Sequence, residues 1–303
     1  MRPKCYIVSF FLCFLLCLNY SFGQNIIKEI GKVKGEKFSY FTMAPEQNIN
    51  GIALLLPSLG ESPKSLFKNT SIPYLLAAKG YLTIVPELRY SLFADEFTKA
   101  QFNHILKTQA EKYNLNKPFL LIGGFSAGGA VAISYAEYLL SSDSITNLKG
   151  IFAIDPPLDL ERLYISAENK INYNCGNLIS REGYFTKNYL DNTLGGSPKS
   201  KPENYLENSP YSANANDGGN AKWLKNIAIR LYTEPDLEFV RKTYCKELKI
   251  EDINAFDLQK LSEFLLRIGN NQVEYIMTQG KGFHSWNIVE PDDFAKWVMR
   301  ISK

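Results

Sequence analysis

Ser126 is the residue of this sequence whose surroundings most clearly favour chemistry. It stands at the centre of Gly124–Gly128, which matches the pattern G-x-S-x-G. An apolar, strand-like run leads into this pentapeptide, and a helical pattern leads out of it. A serine on so sharp a turn has its hydroxyl lifted above a sheet, where the helix N-terminus favours negative charge. The sequence therefore predicts a nucleophile at Ser126. A phosphate-binding loop fits less well, because no G-K-[ST] follows and the glycine spacing differs from G-x-G-x-x-G.

His284 is the candidate for the base that a serine nucleophile needs. A serine hydroxyl reacts at neutral pH only if a neighbouring group takes its proton. The chain has two histidines, His104 and His284. His284 lies in a glycine-flanked loop after the last predicted strand, where its imidazole can reach over the ends of other strands. His104 lies within a helical pattern and precedes Ser126, so we interpret it as a structural histidine.

Three carboxylates are candidates for the group that orients the base. Asp236 follows the predicted strand Ile227–Tyr232 and gives the chain order serine, acid, histidine, which makes it the first choice. Glu234 lies two residues closer to that strand and is the local alternative. Asp155, at the end of the strand after the nucleophile helix, is a second alternative. Asp236 also has an ordinary structural role open to it, since it can begin the next helix.

An acyl-transfer site also needs N–H donors directed at the oxyanion that forms. The residue after the nucleophile, Ala127, should supply one. The loop Pro57–Gly60 should supply the other, with Leu59 as the first choice and Ser58 or Gly60 as alternatives. A plain Pro-Ser-Leu-Gly turn without this role also accounts for the loop.

The elements that must position these residues alternate between short apolar runs and longer helical patterns. The predicted strands are Gly51–Leu56, Tyr81–Val85, Phe119–Ile122, Gly150–Ile154, Ile227–Tyr232 and Val273–Met277. The predicted helical stretches are Leu66–Lys79 (with a possible break near Pro73), Leu92–Tyr113, Ala130–Leu140, Leu237–Ile268 and Pro291–Ile301. Strands joined through helices need right-handed crossovers, which indicates an α/β fold with a mostly parallel, twisted sheet flanked by helices. The alternating stretch Ile26–Thr42 predicts antiparallel edge strands.

One long segment departs from this alternation. Residues 159–220 are rich in Asn, Gly, Pro, Ser and Tyr and have weak periodicity. A compact domain rarely contains so long a segment unless it forms a lid or a binding wall. We therefore expect a loop-rich cap insertion over the carboxyl edge of the sheet, within one catalytic domain spanning residues 24–303.

The N-terminus has the order of a secretory signal peptide. Arg2 and Lys4 precede the apolar run Tyr6–Leu18, and Ser21–Gly23 then offers small residues at a cleavage site. Residues 1–23 are therefore predicted to be removed, which places the protein outside the cell or in a periplasm. A membrane anchor and a lipid anchor on Cys17 are the alternatives.

Beyond residue 23 the sequence retains two cysteines, Cys175 and Cys245. An even pair in an exported protein allows a disulfide, although spacing alone does not decide whether the two come together.

Charge and composition argue against several classes of partner. Lys and Arg number 34 against 31 Asp and Glu, with no basic stripe, so we expect no nucleic-acid partner. With two histidines in the whole chain, we expect no metal site, and nothing in the sequence indicates another cofactor.

From about Gly51 onward the chain resembles the α/β-hydrolase superfamily. The motifs that carry the resemblance are GFSAG, TEPD and GFHSW, and the run LGGSP…PENY…SPYS looks like that of secreted esterases and prolyl-oligopeptidase-like catalytic domains. The resemblance implies the α/β-hydrolase fold and a site made of Ser126, Asp236 and His284, with N–H donors at Ala127 and near Leu59. Pro57-Ser58 replaces the His-Gly usual in the oxyanion loop, and no propeller domain precedes the catalytic region, which disfavours a gated oligopeptidase.

The expected activity is cleavage of carboxylic esters through an acyl-enzyme intermediate. The partner would be a small-molecule or oligosaccharide ester, with no stable membrane insertion after signal cleavage. Six tyrosines in the expected cap would suit an acylated sugar: Tyr164, Tyr173, Tyr184, Tyr189, Tyr205 and Tyr211. The alternatives are an aminopeptidase-like serine peptidase and a non-catalytic binding protein on the same fold.

Overall fold

The computed structural model describes residues 25–142 and 147–303, so the predicted signal peptide lies outside the described residues. Its eight strands form one sheet in the order β1-β2-β4-β3-β5-β6-β7-β8. The strands are β1 Ile26–Val33, β2 Glu36–Met43, β3 Gly51–Leu56, β4 Tyr81–Pro86, β5 Phe119–Phe125, β6 Asn147–Ile154, β7 Ala228–Thr233 and β8 Val273–Met277. Every predicted strand is therefore present.

The sheet is parallel from β4 to β8 and antiparallel at its β1 edge. β1 and β2 pair antiparallel, and β2 pairs antiparallel with β4, as the alternating pattern of the first segment predicts. The remaining neighbours are parallel. All six residues of β3 are buried, because helices cover both faces of a parallel sheet.

Ten α-helices surround or follow the sheet in the described part of the chain. They are α1 Pro63–Asn69, α2 Ile72–Ala78, α3 Glu96–Lys112, α4 Ala127–Ser141, α5 Leu160–Asn172, α6 Asn177–Leu194, α7 Pro202–Asn208, α8 Leu237–Thr243, α9 Ala255–Arg267 and α10 Pro291–Ile301. Along residues 25–142 and 147–303, none of the helices combines the length and the apolar composition that a membrane span needs.

Several helix boundaries differ from the sequence prediction. α4 begins at Ala127 rather than Ala130, and the predicted stretch Leu237–Ile268 is divided into α8 and α9. The stretch Leu66–Lys79 forms two helices, because the chain is extended at Thr70 and Pro73 lies in the first turn of α2. α3 begins at Glu96 rather than Leu92, because the Asp95 carboxylate accepts the Thr98 N–H at 2.7 Å and caps the helix there.

The two faces of the sheet carry separate apolar cores. Ile52 and Leu54 on β3 point into the core that α3, α4 and α9 cover. Ala53 and Leu55 point to the other face, which α1, α2 and α10 cover. This alternation along one strand is the two-residue period of a β-strand, and it fixes which way each strand end presents its side chains.

The prediction that residues 159–220 are loop-rich is wrong. The segment contains α5, α6 and α7, and α5 and α6 pack as a helical hairpin. A side chain on Gly183 would place its Cβ 2.6 Å from the Ala167 carbonyl oxygen, so glycine permits this close approach. Packing between the two helices therefore stabilises a segment whose own periodicity is weak.

Buried charge anchors this hairpin to the rest of the domain. The Asp257 carboxylate on α9 accepts the N–H groups of Leu158 and Asp159 at 2.8 and 3.1 Å. It also pairs with the Arg162 guanidinium on α5, whose Nε lies 2.8 Å from it. The start of α5 is thereby held beside the carboxyl end of β6.

Cys175 and Cys245 are joined in a disulfide, with their Cα atoms 5.2 Å apart. Cys175 lies between α5 and α6, and Cys245 lies just after α8. The bridge therefore ties the tip of the α5–α6 hairpin to the segment that follows β7.

Candidate active site

Ser126 lies on the sharp turn between β5 and α4, with φ +53°. A side chain on Gly128 would collide with the Pro57 carbonyl oxygen, and a Cβ on Gly124 would lie 2.6 Å from the Gly128 backbone. The two glycines of the pentapeptide are therefore required by close backbone packing. The Ser126 N–H donates to the Ile154 carbonyl oxygen at 2.8 Å, which ties the turn to β6.

His284 faces Ser126 from the loop between β8 and α10. Its Nε2 lies 3.0 Å from the Ser126 Oγ. The Phe125 ring packs against the imidazole with centroids 4.8 Å apart, and the backbone at His284 has φ +47°. The sequence prediction that these two residues meet agrees with this geometry.

The carboxylate beside His284 belongs to Asp155, the second alternative of the sequence analysis. Asp155 Oδ2 lies 2.6 Å from His284 Nδ1, and its other oxygen accepts the Thr233 hydroxyl at 2.7 Å. The side chain is buried at the end of β6, next to the strand that leads to Ser126. The three groups thus form one continuous line of hydrogen bonds.

The first choice for this position, Asp236, requires correction. Its carboxylate accepts the Phe239 N–H at 2.8 Å and caps α8, which is the structural role left open for it. Asp236 lies three residues beyond the end of β7, where the chain has already turned into the next helix. Asp155 instead follows β6 directly.

Glu234, the other alternative, is buried and holds the histidine loop in place. Its Oε2 accepts the Thr278 hydroxyl at 3.0 Å and the Lys281 N–H at 2.8 Å. Its Oε1 accepts the Gly282 N–H at 3.1 Å. Sequence reasoning missed this role, because the partners belong to a loop more than 40 residues away.

The expected oxyanion donors follow the carboxyl ends of β5, in the case of Ala127, and β3, in the case of Leu59. Ala127 is the first residue of α4, so its N–H has no acceptor within the helix. Leu59 and Ala127 line the same cavity, of about 290 Å³. Ser58 is excluded as a donor because its N–H already donates to Glu61 Oε2 at 2.9 Å. Within the described residues, the Leu59 N–H has no acceptor of its own.

Glu61 also connects the loop Pro57–Gly60 to the histidine segment. The Trp286 Nε1–H lies 3.3 Å from both Glu61 carboxylate oxygens. The Trp286 ring in turn packs on Phe125, with centroids 5.3 Å apart. The loop before α1 and the loop before α10 are therefore fixed relative to each other.

Two tyrosines near the site have raised pKa values. Burial raises the pKa of Tyr90, in the Leu59 cavity, to about 12, with the neighbouring Tyr189 adding to the shift. Burial raises the pKa of Tyr275 to about 12 as well, with the charge of Asp155 as the next cause. Both phenols are therefore neutral at physiological pH.

His104 lies on α3, away from this line of hydrogen bonds. Its ring meets Phe38 edge to face, with centroids 5.8 Å apart, which fits the structural role expected for it. No group of three or more His, Cys, Asp or Glu side chains suited to a metal ion occurs in residues 25–142 and 147–303.

Comparison with known proteins finds likeness in structure only. No protein-family model and no curated protein matches the sequence. Among solved structures, the chain is similar to a fungal esterase from Rhizomucor miehei (14% identity, TM-score 0.56, 92% of this chain and 84% of the other). It is also similar to an esterase from Pyrococcus furiosus (11%, TM-score 0.58, 92% of each chain). A third similar structure, an acylaminoacyl peptidase from Pyrococcus horikoshii (14%, TM-score 0.55), is matched over 91% of this chain but 40% of its own length.

At such identities the likeness establishes the fold and nothing finer. The likeness spans more than nine-tenths of this chain, including its eight-stranded, mostly parallel sheet and the helices that flank it. Together with the strand-turn-helix at Ser126, these comparisons show that the chain has the α/β-hydrolase fold.

Proposed function

We propose that this protein is a serine hydrolase that cleaves carboxylic esters through an acyl-enzyme intermediate. The observation that carries the proposal is the line of hydrogen bonds from Ser126 Oγ through the His284 imidazole to Asp155. Nucleophile, base and orienting carboxylate in this geometry are the arrangement that acyl transfer by serine needs.

In the first half of the reaction Ser126 Oγ attacks the ester carbonyl carbon while His284 Nε2 takes the hydroxyl proton. The carbonyl oxygen becomes an oxyanion that accepts hydrogen bonds from the Ala127 and Leu59 N–H groups. As the tetrahedral intermediate collapses, the bond to the alcohol oxygen breaks and His284 delivers the same proton to that oxygen. The alcohol leaves, and the acyl group remains on Ser126.

In the second half water replaces the alcohol. His284 Nε2 takes a proton from the water as its oxygen attacks the acyl carbon. The bond between the acyl carbon and Ser126 Oγ then breaks, His284 returns the proton to Oγ, and the carboxylic acid leaves. Asp155 holds Nδ1 protonated throughout, so that Nε2 is free to accept, and it stabilises the imidazolium that forms at each step.

Esters are preferred over peptides as the substrate class. The similar solved structures include esterases that match over most of their own length, whereas the peptidase is matched over 40% of its length. The tyrosine-rich cap no longer supports an acylated sugar, because Tyr164, Tyr205 and Tyr211 are buried in the packing of the segment.

Export through the signal-peptide-like residues 1–23 is part of the proposal. The disulfide between Cys175 and Cys245 supports it, because such bonds persist mainly in oxidising compartments outside the cytosol.

The direct test is labelling by a fluorophosphonate probe, which reacts with an activated serine. We expect labelling of the wild type and none of Ser126→Ala. Equal labelling of both would contradict the assignment, and no labelling of either would favour a non-catalytic binding protein.

The substrate class is tested on nitrophenyl esters against aminoacyl nitroanilides. Turnover should be found on the esters, and turnover restricted to the anilides would instead support a peptidase.

A further inference from the structure

A second cavity, of about 460 Å³, is lined by His284 and shares no lining residue with the cavity beside Leu59 and Ala127. We call it the histidine-side cavity. Helices α6 and α8 and the loops after α8 and β8 form most of its wall. The apolar side chains in that wall are Leu178, Ile179, Val240, Tyr244, Leu248 and Phe283.

The wall has a buried floor and an exposed apolar mouth. Ile179, Val240 and Leu248 are buried, whereas Leu178 is 69% and Tyr244 43% exposed. Large apolar side chains left in water beside a cavity are typical of a ligand site. The disulfide of Cys175 and Cys245 braces the same wall, because both cysteines belong to its apolar cluster.

Most polar side-chain atoms of the cavity wall already have partners within the protein. Lys170 pairs with Glu182 at 2.8 Å, and Asp155 pairs with His284. Asp252 Oδ2 accepts the Tyr173 hydroxyl at 2.7 Å, whereas its buried Oδ1 has no hydrogen-bond partner among the described residues. The apolar side chains are therefore the larger part of the surface available to a ligand.

The position of the general acid decides which part of an ester can reach this cavity. Because His284 Nε2 protonates the departing alcohol, the alcohol oxygen must lie within hydrogen-bond reach of that atom. The carbonyl oxygen is bound by the Ala127 and Leu59 N–H groups in the separate cavity that those two residues line. The group attached to the alcohol oxygen therefore continues past the imidazole.

We propose that the histidine-side cavity binds the alcohol part of the substrate, and that this part is an apolar alkyl or aryl group. The inference rests on the proposed ester hydrolysis and adds the substrate class to it. The enzyme then prefers esters of larger apolar alcohols to methyl esters with the same acyl group.

The experiment compares methyl, butyl and benzyl acetate, with methyl butanoate and methyl hexanoate as a parallel acyl series. The three alcohols have similar acidity, so differences in kcat/KM report binding rather than leaving-group chemistry. Each methylene group that leaves water contributes about fourfold, so butyl over methyl acetate should give at least about tenfold. If kcat/KM rises along the acyl series, substitutions in the cavity wall should leave that rise unchanged.

The variant Leu178→Ser, combined with Tyr244→Ser, tests the wall itself. Both side chains are exposed, so their replacement spares the core. We expect the ratio of butyl to methyl acetate kcat/KM to fall severalfold. Leu266→Ser is the matched control, because Leu266 is 57% exposed on α9 and lies outside the cavity, and it should retain the wild-type ratio.

The outcomes separate this inference from the proposed function. The wild type could react with the fluorophosphonate probe and hydrolyse acetates, but have a ratio of butyl to methyl acetate kcat/KM near one. That result would overturn the inference and leave the proposed function in place. The preference could instead be found only in the acyl series and be lost in the Leu178 and Tyr244 variant. That result would assign the cavity to the acyl group and would also overturn the inference. A protein that neither reacts with the probe nor hydrolyses any ester removes the proposed function, and the inference with it.

Discussion

The three side chains in the line of hydrogen bonds share an unusual backbone conformation. Ser126, Asp155 and His284 have φ of +53°, +46° and +47°. Non-glycine residues adopt positive φ at a cost of roughly 1–3 kcal/mol, and such residues concentrate at functional sites. Here the reversal of the chain directly after β5 and β6 turns the serine and the aspartate out of the sheet and toward the imidazole.

The assignment of Asp155 can be tested with two matched substitutions. Asp155→Asn keeps the shape of the side chain but no longer fixes the imidazole tautomer, so kcat should fall roughly 10³- to 10⁴-fold. Asp236→Asn should change kcat little, because asparagine caps a helix about as well as aspartate does. Steady-state kinetics on one nitrophenyl ester measures both. The reverse pattern would return the role to Asp236.

Glu234 should act on catalysis through the position of the histidine loop. Glu234→Gln replaces one of its two acceptor oxygens by a donating NH₂ group, which faces an N–H or hydroxyl donor of the loop. We expect kcat to fall about tenfold or more while KM changes little, because the imidazole loses its alignment but the binding cavities remain.

Glu238→Gln is the control for Glu234, since Glu238 is exposed on α8. Circular dichroism and thermal unfolding would separate a displaced loop from an unfolded protein. Equal kcat in the two variants would show that the Glu234 contacts have no influence on the reaction.

Local patterns were enough to locate several elements, and tertiary contacts decided others. β8 and α10 have the bounds predicted from the sequence, because each is a clear pattern with a distinct start, Pro291 in the case of α10. α5 and α6 were missed, since their helical state depends on packing across Gly183 and on the Arg162–Asp257 pair. A residue-by-residue pattern contains neither contact.

The disulfide should stabilise the α5–α6 hairpin against the segment after β7. It closes a loop across 70 residues of sequence separation, and such cross-links contribute about 2–4 kcal/mol by restricting the unfolded chain. The double variant Cys175→Ser, Cys245→Ser should therefore unfold at lower urea concentration than the wild type. Reductant should lower the wild-type midpoint and leave that of the variant unchanged. If reduction leaves the wild-type midpoint in place, the bridge contributes no stability.

At the scale of the whole molecule, a buried carboxyl group makes stability depend on pH. Glu137 on α4 is buried, and its Oε1 has no hydrogen-bond partner in the part of the chain that the structure describes. Burial raises the pKa of Glu137 well above its usual 4.5. A group whose pKa is higher in the folded state than in the unfolded state contributes its full stabilisation when the pH is below the unfolded-state pKa. This contribution is lost as the pH rises toward the folded-state pKa.

Glu137→Gln should remove this dependence. Near pH 4 the variant and the wild type should have similar free energies of unfolding. Above pH 4.5 the free energy of unfolding of the variant should exceed that of the wild type, and the difference should grow by up to roughly 1.4 kcal/mol per pH unit. Urea unfolding measures this difference. Glu203→Gln, at an exposed position on α7, should follow the wild type. Parallel pH profiles for Glu137→Gln and the wild type would contradict the buried-acid interpretation.

The sequence by itself determined the α/β alternation, the nucleophile candidate and the base candidate. These depend on local patterns and composition: apolar runs between helices, a serine among small residues, and only two histidines in the chain. Which carboxylate meets the base was decided by tertiary structure alone. Asp155, Glu234 and Asp236 all follow strands, and their distances from His284 depend on strand order and on where each chain segment turns. Those distances arise from packing between segments far apart in sequence, which no local pattern contains.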